Sequence, residues 1–581
     1  MSQSVRRISM PEASRKISLK TPKKTDHNQI FKRRLVVLSG CCLLLFGILF
    51  GRLIVFGMNP MEAVAKVASS AAVLEKPRAD IVDRNGVLLA SDIQVPSLFA
   101  NPQKIENVEE TLDQLALVFD DLNWDQMRRR LNSNARFAWI KREISEEQKQ
   151  KLHNLGIPGL FFNHEKKRIY PAGNLASHVL GHVNIDHVGK AGLESFINYF
   201  QTEKIANYRQ EDAGKIYKPL VSSIDLGVQH VMRDELSQAI EKFDAIAAMG
   251  VVLDIHTGEV ISMVSLPDYD PNIPKQALET KRMNRTTGGV YELGSVFKLL
   301  TMGMGLDYGV TTLEGGYDAT DPLSVGRGKF IGDYHGKGRY LTVPEIFKFS
   351  SNIATAKMAL DVGKERQQAF LRKIKLLDKL ETELPGAGIP QYPSDKNWKR
   401  VSTITISYGH GIAVTPLQGV AAAAAMMNGG YYVPPTFVKR SVEEAEYYRE
   451  RVIKPETSRD LVGLMRLNVL EGSGKQTDVD GYLVGGKTGS AEKPINGKYD
   501  KDKLISSFLS VFPTDKPKYM MLVSIDEPKG LPETHGFKTA GWNATPTTAN
   551  IIKRIAPLLG MAPRFDNIKI DGNNLLAKTR N

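Results

Sequence analysis

Hydrophobic and polar positions divide this 581-residue chain into a basic start, one long apolar run and two long mixed segments. The apolar run covers Leu35–Met58 and is interrupted by a single charge, Arg52. About 20 apolar residues span a bilayer as an α-helix, and an arginine near one end can reach the interface. The basic triplet Lys32–Arg34 comes just before the run, which predicts a single transmembrane helix over 35–58. Residues 1–34 then form a cytoplasmic tail, and the rest of the chain lies outside.

A cleaved signal peptide is the alternative interpretation of this start, because Ala63, Val64 and Ala65 resemble a cleavage site. The apolar run is longer than the roughly 7–15 residues of a signal core, which favours an uncleaved anchor. A mature N-terminus near Lys66 would instead indicate cleavage. We interpret residues 59–75 as an alanine-rich connector.

The first exported segment, residues 76–223, opens on two apolar runs around Arg84, Asn85 and Gly86, a strong hairpin pattern. Helical periodicity follows near 107–133 and 145–155. A glycine-punctuated stretch over 168–194 is typical of turns and packing. We therefore predict a scaffold role for this segment.

The second segment, residues 224–556, mixes strands with long helices. A helical pattern at 227–243 precedes a strand, a Thr-Gly turn and a strand within 249–264. An apolar helix is expected at 414–427 and a buried strand at 520–525. This mixture predicts an α/β or α+β domain, followed by a polar tail over 557–581.

Net charge and cysteine content remove several classes of function. The chain carries a net charge of +13, but residues 1–34 hold ten Lys and Arg against two acidic residues, so the tail supplies eight of these charges. The remainder is nearly balanced, which disfavours nucleic-acid binding. Cys41 and Cys42, the only cysteines, lie in the apolar run. The exported part can therefore form no disulfide, cysteine nucleophile or cysteine-ligated metal site.

Ser295 and Lys298 form an S-x-x-K motif that suggests a self-activating nucleophile. Residues i and i+3 share a helix face, so the lysine amine comes within reach of the hydroxyl. Desolvation can lower the lysine pKa enough to make it a base, and a serine at a helix start has backbone N–H groups aimed at a developing oxyanion. Taken alone, the motif is weak evidence for a nucleophile, because a helix-capping serine followed by a solvated lysine gives the same sequence pattern.

Ser350, Ser351 and Asn352 lie between apolar residues and offer two hydroxyls and an amide. A second hydroxyl can relay a proton to a leaving group, and an amide can hydrogen-bond both a lysine and a substrate. An ordinary Ser/Asn turn explains the same residues.

Lys487 and Thr488 close a phosphate-loop pattern, G-x-x-x-x-G-K-T, that begins at Gly481. That loop needs a helix directly after the threonine, and the glycines and proline that follow cannot propagate one. We therefore reject nucleotide binding and predict an edge strand. In it, Lys487 supplies a cation for a substrate carboxylate, Thr488 a hydroxyl, Gly489 close backbone approach and Ser490 an oxyanion N–H.

Together, the order and spacing of these three elements resemble the penicillin-recognising serine transferases, which share S-x-x-K, S-x-N and K-T-G. Further segments are similar to class B penicillin-binding proteins: Asp83–Gly86, Arg168–Pro171, Ser265–Asn272, Arg282–Arg285 and Tyr408–Gln418. The tail, anchor and Gly-Ser-Val-Phe-Lys form most resemble the division-specific members. Leu293 replaces a common proline and Ala79 a usual glycine, and neither touches the proposed chemistry. The resemblance implies a penicillin-binding, transpeptidase-like fold, a β-sheet flanked by helices, with an N-terminal pedestal (dimerisation-type) domain and one transmembrane helix.

The same resemblance implies a serine D,D-transpeptidase of peptidoglycan without cofactor or metal. Lys298 takes the Ser295 proton, and Ser295 attacks the carbonyl between two terminal D-alanines. The N–H groups of Ser295 and Ser490 hold the oxyanion, and Ser350 passes a proton to the leaving D-alanine. The residues that position the substrate are Asn352, Lys487, Thr488 and Gly489. β-Lactams acylate Ser295 by the same route.

The resemblance also implies partners, and it leaves several alternative activities open. It implies stem peptides, β-lactams, the inner membrane, a septal glycosyltransferase and other division proteins as partners. A β-lactamase or D,D-carboxypeptidase, an elongation-type transpeptidase, and a non-catalytic β-lactam sensor or division scaffold remain alternatives. The acceptor amine, the oligomeric state and the identity of the division contacts stay open.

Overall fold

The computed structural model describes one helix at 27–58, with side chains from 35 to 51, and residues 78–198 and 218–565 apart from Arg327 and Asn496. Most of the predicted basic tail, the connector at 59–75 and the end of the predicted polar tail lie outside the described residues. The chain forms two compact units, Met1–Glu75 and Lys76–Asn581. Each unit is described by itself.

The first unit contains helix α1, His27–Met58. Its apolar side chains are exposed from Leu35 to Phe50. Among the described residues, no helix combines the length and the apolar character needed to cross a membrane. The side chains of residues 52–58, which belong to the predicted span, lie outside the described residues.

Helices and strands of the second unit alternate along the chain. Its helices are α2 Val108–Ala116, α3 Trp124–Leu131, α4 Glu146–Leu155, α5 Ser177–Leu180, α6 Leu226–Phe243, α7 Lys298–Asp307, α8 Val343–Phe349, α9 Asn352–Val362, α10 Lys364–Lys373, α11 Arg400–Ser407, α12 Pro416–Met427, α13 Val442–Glu446, α14 Pro455–Glu471 and α15 Ala544–Leu558. Its strands are β1 Ile81–Val82, β2 Leu88–Ala100, β3 Ala138–Lys141, β4 Leu160–Ile169, β5 Leu220–Val221, β6 Ala247–Asp254, β7 Val260–Leu266, β8 Gly316–Asp318, β9 Leu323–Gly326, β10 Lys329–Ile331, β11 Tyr340–Thr342, β12 Tyr431–Tyr432, β13 Glu450–Arg451, β14 Gly485–Ile495, β15 Lys498–Phe512 and β16 Tyr519–Asp526.

The pedestal segment is built on the long strand β2. β2 pairs antiparallel with β1, β3 and β4, and the turn from β1 to β2 confirms the hairpin predicted around Asn85. Helices α2, α3 and α4 confirm the helical patterns. Side chains of α2 and α3, among them Leu112, Leu115 and Met127, pack against Leu98 and Ile140 of the sheet.

Buried ion pairs around Glu194 connect distant parts of the pedestal segment. The carboxylate of Glu194 is fully buried and accepts hydrogen bonds from Arg78 Nε at 2.9 Å and Arg168 Nε at 2.7 Å. Arg168 also donates to Asp92 at 3.2 Å. Because a buried charge is costly without partners, these contacts hold segments far apart in sequence in one arrangement. They give the glycine-punctuated stretch a structural role.

A five-stranded sheet, ordered β14-β15-β16-β6-β7 with every pair antiparallel, forms the centre of the segment over residues 224–556. Helices α6 and α15 cover one face, and a cluster including α7, α12 and α14 covers the other. The predicted strands near 249–264 and 520–525 are confirmed, as are the helices near 227–243 and 414–427. Helix α15 continues to Leu558, so the first two residues of the predicted tail are helical.

Candidate active site

Ser295 lies in a 3₁₀ turn, Gly294–Phe297, that leads directly into α7. We predict a helix that opens at the serine, and the helical turn found there is 3₁₀, with the α-helix beginning at Lys298. In a 3₁₀ turn residues i and i+3 eclipse one another, so Ser295 and Lys298 still share one edge. Val296 and Phe297 are buried on the other side. The serine lines a cleft of about 780 Å³, which we call the cleft throughout.

Two buried lysines converge on the hydroxyl of Ser350. Lys298 Nζ and Lys487 Nζ each lie 3.0 Å from Ser350 Oγ. Lys298 also donates to the Ser350 carbonyl, and Lys487 to the Thr488 carbonyl at 3.1 Å. Within the part of the chain that the structure describes, the Ser295 hydroxyl has no hydrogen-bond partner. The expected Ser295–Lys298 hydrogen bond is therefore not formed here, and Ser350 bridges the two amines.

Burial changes the acid–base properties of both lysines. Both are fully buried. Burial, and then the nearby charge of Lys487, lowers the pKa of Lys298 well below 10.5. Burial alone lowers the pKa of Lys487 to about 7. A neutral amine can accept a proton, so the site contains a base near neutral pH without a histidine.

The Ser350–Asn352 turn connects α8 and α9. Ser350 has a left-handed backbone (φ 56°, ψ 43°), which is rare for a residue other than glycine. Ser351 caps α9 by accepting a hydrogen bond from Ala354 N at 3.1 Å. Asn352 lines the cleft, and its Nδ2 donates to Gly332 O at 3.3 Å.

Asp333 holds this turn and was missed by the sequence analysis. Its carboxylate accepts hydrogen bonds from Ser351 Oγ at 2.6 Å, Asn352 N at 2.5 Å and Ile353 N at 3.0 Å. It thus caps the N-terminus of α9 from the loop after β10. Its negative charge also raises the pKa of Lys298, against the effect of burial.

We predict that Asp333→Asn slows acylation of Ser295 by about tenfold, because the amide cannot accept all three hydrogen bonds. Loss of the charge also lowers the pKa of Lys298, so the acidic limb of the pH–rate profile should move to lower pH. Rates of penicillin labelling between pH 5 and 9 measure both effects. A slower variant with an unmoved limb would leave Asp333 a purely structural cap.

Lys487–Ser490 lie on β14, the edge strand of the sheet, as predicted. The strand continues past Thr488 and pairs with β15, so the segment lacks the helix that a phosphate loop requires. Side chains alternate along a strand: Lys487 and Gly489 are buried, whereas Thr488 and Ser490 face the cleft. Thr488 Oγ1 lies 2.6 Å from the hydroxyl of Ser473, a cleft residue that the sequence analysis did not single out.

Gly489 brings this strand against the turn that carries Ser295. A Cβ atom at this position would lie 2.5 Å from Leu293 O and 2.8 Å from Val296 Cγ2. Contacts this short force one of the two segments to move. The predicted close backbone approach at Gly489 is therefore present.

We predict that Gly489→Ala destabilises the protein by about 1–3 kcal/mol, the usual effect of overpacking, and also slows penicillin labelling. Gly541→Ala is the matched control, because Gly541 lines the same cleft and an added Cβ would meet only Ser473 O at 3.6 Å. Thermal melting and labelling rate compare the two. Equal behaviour of the two variants would contradict the proposed tight contact.

A row of aromatic and acidic side chains begins at His410, which lines the cleft, and continues through Tyr499 to Glu292. His410 stacks on Tyr499 with ring centres 5.4 Å apart. Tyr499 donates to Glu292 Oε1 at 2.9 Å, and Gly411 N donates to the same oxygen at 2.8 Å. Burial, and then the charge of Lys298, lowers the pKa of His410, which favours a neutral ring. His410 and Gly411 belong to the family segment Tyr408–Gln418, to which the sequence analysis gave no role, and Tyr499 was not singled out.

All eight predicted site residues therefore meet in one place. Those that line the cleft are Ser295, Ser350, Asn352, Thr488 and Ser490. Lys298 and Lys487 lie buried beneath it, and Gly489 packs between strand and turn. No group of three or more His, Cys, Asp or Glu side chains suited to a metal ion occurs among the described residues.

Comparison with known proteins identifies the family of this chain. Residues 248–553 match the penicillin binding protein transpeptidase domain, and residues 74–215 match the penicillin-binding protein dimerisation domain. The sequence is 35% identical over 506 residues to a probable peptidoglycan D,D-transpeptidase FtsI from Caulobacter vibrioides, covering 86% of this chain and 84% of that protein. The chain belongs to the class B penicillin-binding proteins.

Other relatives of this penicillin-binding protein lie at lower identity. Peptidoglycan D,D-transpeptidase FtsI of Escherichia coli is 27% identical, with 88% of this chain and 90% of that protein covered. A crystal structure of penicillin binding protein 3 from Mycobacterium, complexed with aztreonam, aligns with a TM-score of 0.61 at 22% identity and covers 84% of this chain and 98% of that one. This structural likeness establishes the shared fold.

Proposed function

We propose that this penicillin-binding protein is a serine D,D-transpeptidase that cross-links peptidoglycan stem peptides through an acyl-enzyme on Ser295. One observation carries the proposal: two buried lysines meet at Ser350 Oγ beneath a cleft that Ser295 lines. Relatives named as peptidoglycan D,D-transpeptidases support the same activity.

In the first half-reaction, Lys298 removes the Ser295 proton, and Ser295 Oγ bonds to the carbonyl carbon between two D-alanines. Catalytic hydrogen bonds are often long or absent before substrate binds, so the missing Ser295–Lys298 bond is compatible with this role. The N–H groups of Ser295 and Ser490 hold the oxyanion. When the peptide C–N bond breaks, Ser350 passes the proton from Lys298 to the departing amine.

Substrate is held by Thr488 and Asn352, which line the cleft, and by Lys487 beneath it. Thr488 and the charged form of Lys487 bind the terminal carboxylate, while Asn352 donates to the peptide backbone. In the second half-reaction, an amine of another stem peptide attacks the acyl carbon and loses a proton to Lys298. Lys298 returns this proton to Ser295 Oγ as the ester C–O bond breaks. The products are one new amide bond and the free serine.

The N-terminal unit supports a membrane-anchored form. α1 exposes apolar side chains along its described length, and ten basic residues precede or begin this helix. We infer a single-pass inner-membrane protein with its catalytic segment in the periplasm. The names of the FtsI relatives favour peptidoglycan cross-linking at the division septum, together with a glycosyltransferase and other division proteins. A fluorescent fusion at midcell would support this, whereas a lateral-wall pattern would favour elongation.

Products formed by the purified full chain test the activity. Incubation with a stem pentapeptide ending in D-Ala-D-Ala and an amine-bearing acceptor is expected to release D-alanine and form a cross-linked dimer, both read by mass. Hydrolysed tetrapeptide alone would identify a carboxypeptidase or lactamase type. No released D-alanine would favour the non-catalytic sensor or scaffold.

A further inference from the structure

A second cavity of about 460 Å³ opens beside the cleft. Glu492 of β14 lines both cavities, whereas Glu292, Gln391 and Tyr392 line the second cavity alone. Side chains alternate along β14, so Glu492 points to the same side as Thr488 and Ser490. Two residues of a strand span about 7 Å, which places Glu492 one step beyond the proposed oxyanion donor.

The second cavity is negatively charged. Within the described residues, Glu492 makes no ion pair and no side-chain hydrogen bond. Glu292 accepts two hydrogen bonds at Oε1, while its Oε2 is buried without a partner among those residues. Lys493 also lines the cavity, but its amine is bound to Asp526 at 2.9 Å and Glu527 at 2.8 Å. Lys501 lines the cleft and not the second cavity.

Burial raises the pKa of Glu292, and the hydrogen bonds from Gly411 and Tyr499 only partly oppose this shift. A cation placed in the cavity would offset that cost and stabilise both carboxylates in their charged forms. A partly desolvated site also strengthens such a contact relative to open solvent. Among the described residues that line this cavity, no free cation remains for a carboxylate or phosphate of a ligand.

The proposed chemistry requires two stem peptides to approach Ser295, and the peptide that acts as acceptor must carry a free amine. We propose that the second cavity binds the ammonium group of a stem peptide, with Glu492 as the recognition carboxylate and Glu292 behind it. This inference rests on the proposed transpeptidase function. The ammonium can come from the donor strand, extending along β14 away from Ser295, or from the acceptor strand on its way to the acyl-enzyme.

Two measurements on the full-length protein distinguish these sources. The donor arm compares acylation rates for a stem pentapeptide whose side-chain amine is free or acetylated. The acceptor arm measures the concentration of an amine-bearing peptide that diverts half of the acyl-enzyme from hydrolysis to aminolysis. Each readout is a ratio or a half-saturation point, so a smaller fraction of folded variant does not change it.

Glu492→Gln is expected to remove about a tenfold preference for the free amine in the donor arm, or to raise the half-saturating acceptor concentration about tenfold. Either result supports the ammonium site and identifies its source. Asp502→Asn is the matched control: it removes one charge from the same hairpin, but Asp502 pairs with Lys538 at 3.1 Å and lines neither cavity.

Unchanged values for Glu492→Gln in both arms, or equal changes in Asp502→Asn, would overturn the ammonium site and leave the transpeptidase proposal intact. A wild-type protein that forms no acyl-enzyme with the acetylated or the free pentapeptide would contradict the proposed function and this inference with it. Glu492→Asp, which keeps the charge, should retain most of the preference.

Discussion

Replacing Lys298 by methionine is expected to slow acylation of Ser295 by about 10²- to 10⁴-fold, the usual contribution of a general base. Methionine fills a similar volume in the buried position but cannot accept the serine proton. It also removes one of the two amines that contact Ser350 Oγ. The rate of labelling by a fluorescent penicillin measures the effect directly.

Lys357→Met is the matched control for this substitution. Lys357 belongs to α9 in the same segment, but its amine donates to the Asp318 carbonyl at the surface. We expect labelling within about twofold of the unsubstituted protein, since surface substitutions rarely disturb a site. A folded Lys298→Met protein that labels at the rate of this control would remove Lys298 from the mechanism.

The second large effect concerns Lys487, whose burial makes the free energy of unfolding depend on pH. Its pKa is about 7 in the folded protein, against 10.5 for an ordinary lysine. Between these values the unfolded chain binds more protons than the folded one, so the free energy of unfolding rises with pH across this window. Below about pH 7 the full cost of the buried amine is present, roughly 4–5 kcal/mol from the pKa difference.

Lys487→Met should therefore stabilise the protein near pH 7, although lost hydrogen bonds to Ser350 and Thr488 offset about 1–3 kcal/mol of the gain. Loss of the Lys487 charge also raises the pKa of Lys298 toward the value of an ordinary lysine. This change further stabilises the folded protein. The difference in melting temperature between variant and unsubstituted protein is expected to shrink as pH rises from 7 to 10. A difference independent of pH would contradict the lowered pKa of the buried Lys487 amine.

Activity should change in the opposite sense in the same variant. Lys487→Met loses the cation proposed for the substrate carboxylate, so labelling slows. Because the pKa of Lys298 rises, the acidic limb of the pH–rate profile should also shift to higher pH. Such an exchange of stability for activity is common where a site holds a costly group for function.

Much of the fold follows from local sequence patterns. The hairpin around Asn85, the strands near 249–264 and 520–525, and the buried helix α12 each have a strong periodicity of their own. The edge strand at Lys487 was predictable for a similar reason, because the residues after Thr488 cannot form a helix. The three motifs of the site, S-x-x-K, S-x-N and K-T-G, are also recognisable directly in the sequence.

Features that depend on distant contacts were not accessible from the sequence. Asp333 caps α9 from a loop that lies 19 residues before Asn352, and no local pattern links the two. A helix was expected to open at Ser295, but the sequence does not show that its first turn is a 3₁₀ turn packed closely against Gly489. The lysine was expected to contact the nucleophile, yet Ser350, left-handed and 52 residues away, is its partner.

Covalent labelling of one serine tests the central claim most directly. After exposure to a penicillin, the full-length protein is digested, and the adduct is located by peptide mass. We predict a single penicilloyl group on the peptide that contains Ser295, and no adduct in a folded Ser295→Ala variant. An adduct on another residue, or label that survives Ser295→Ala, would contradict the acyl-enzyme assignment.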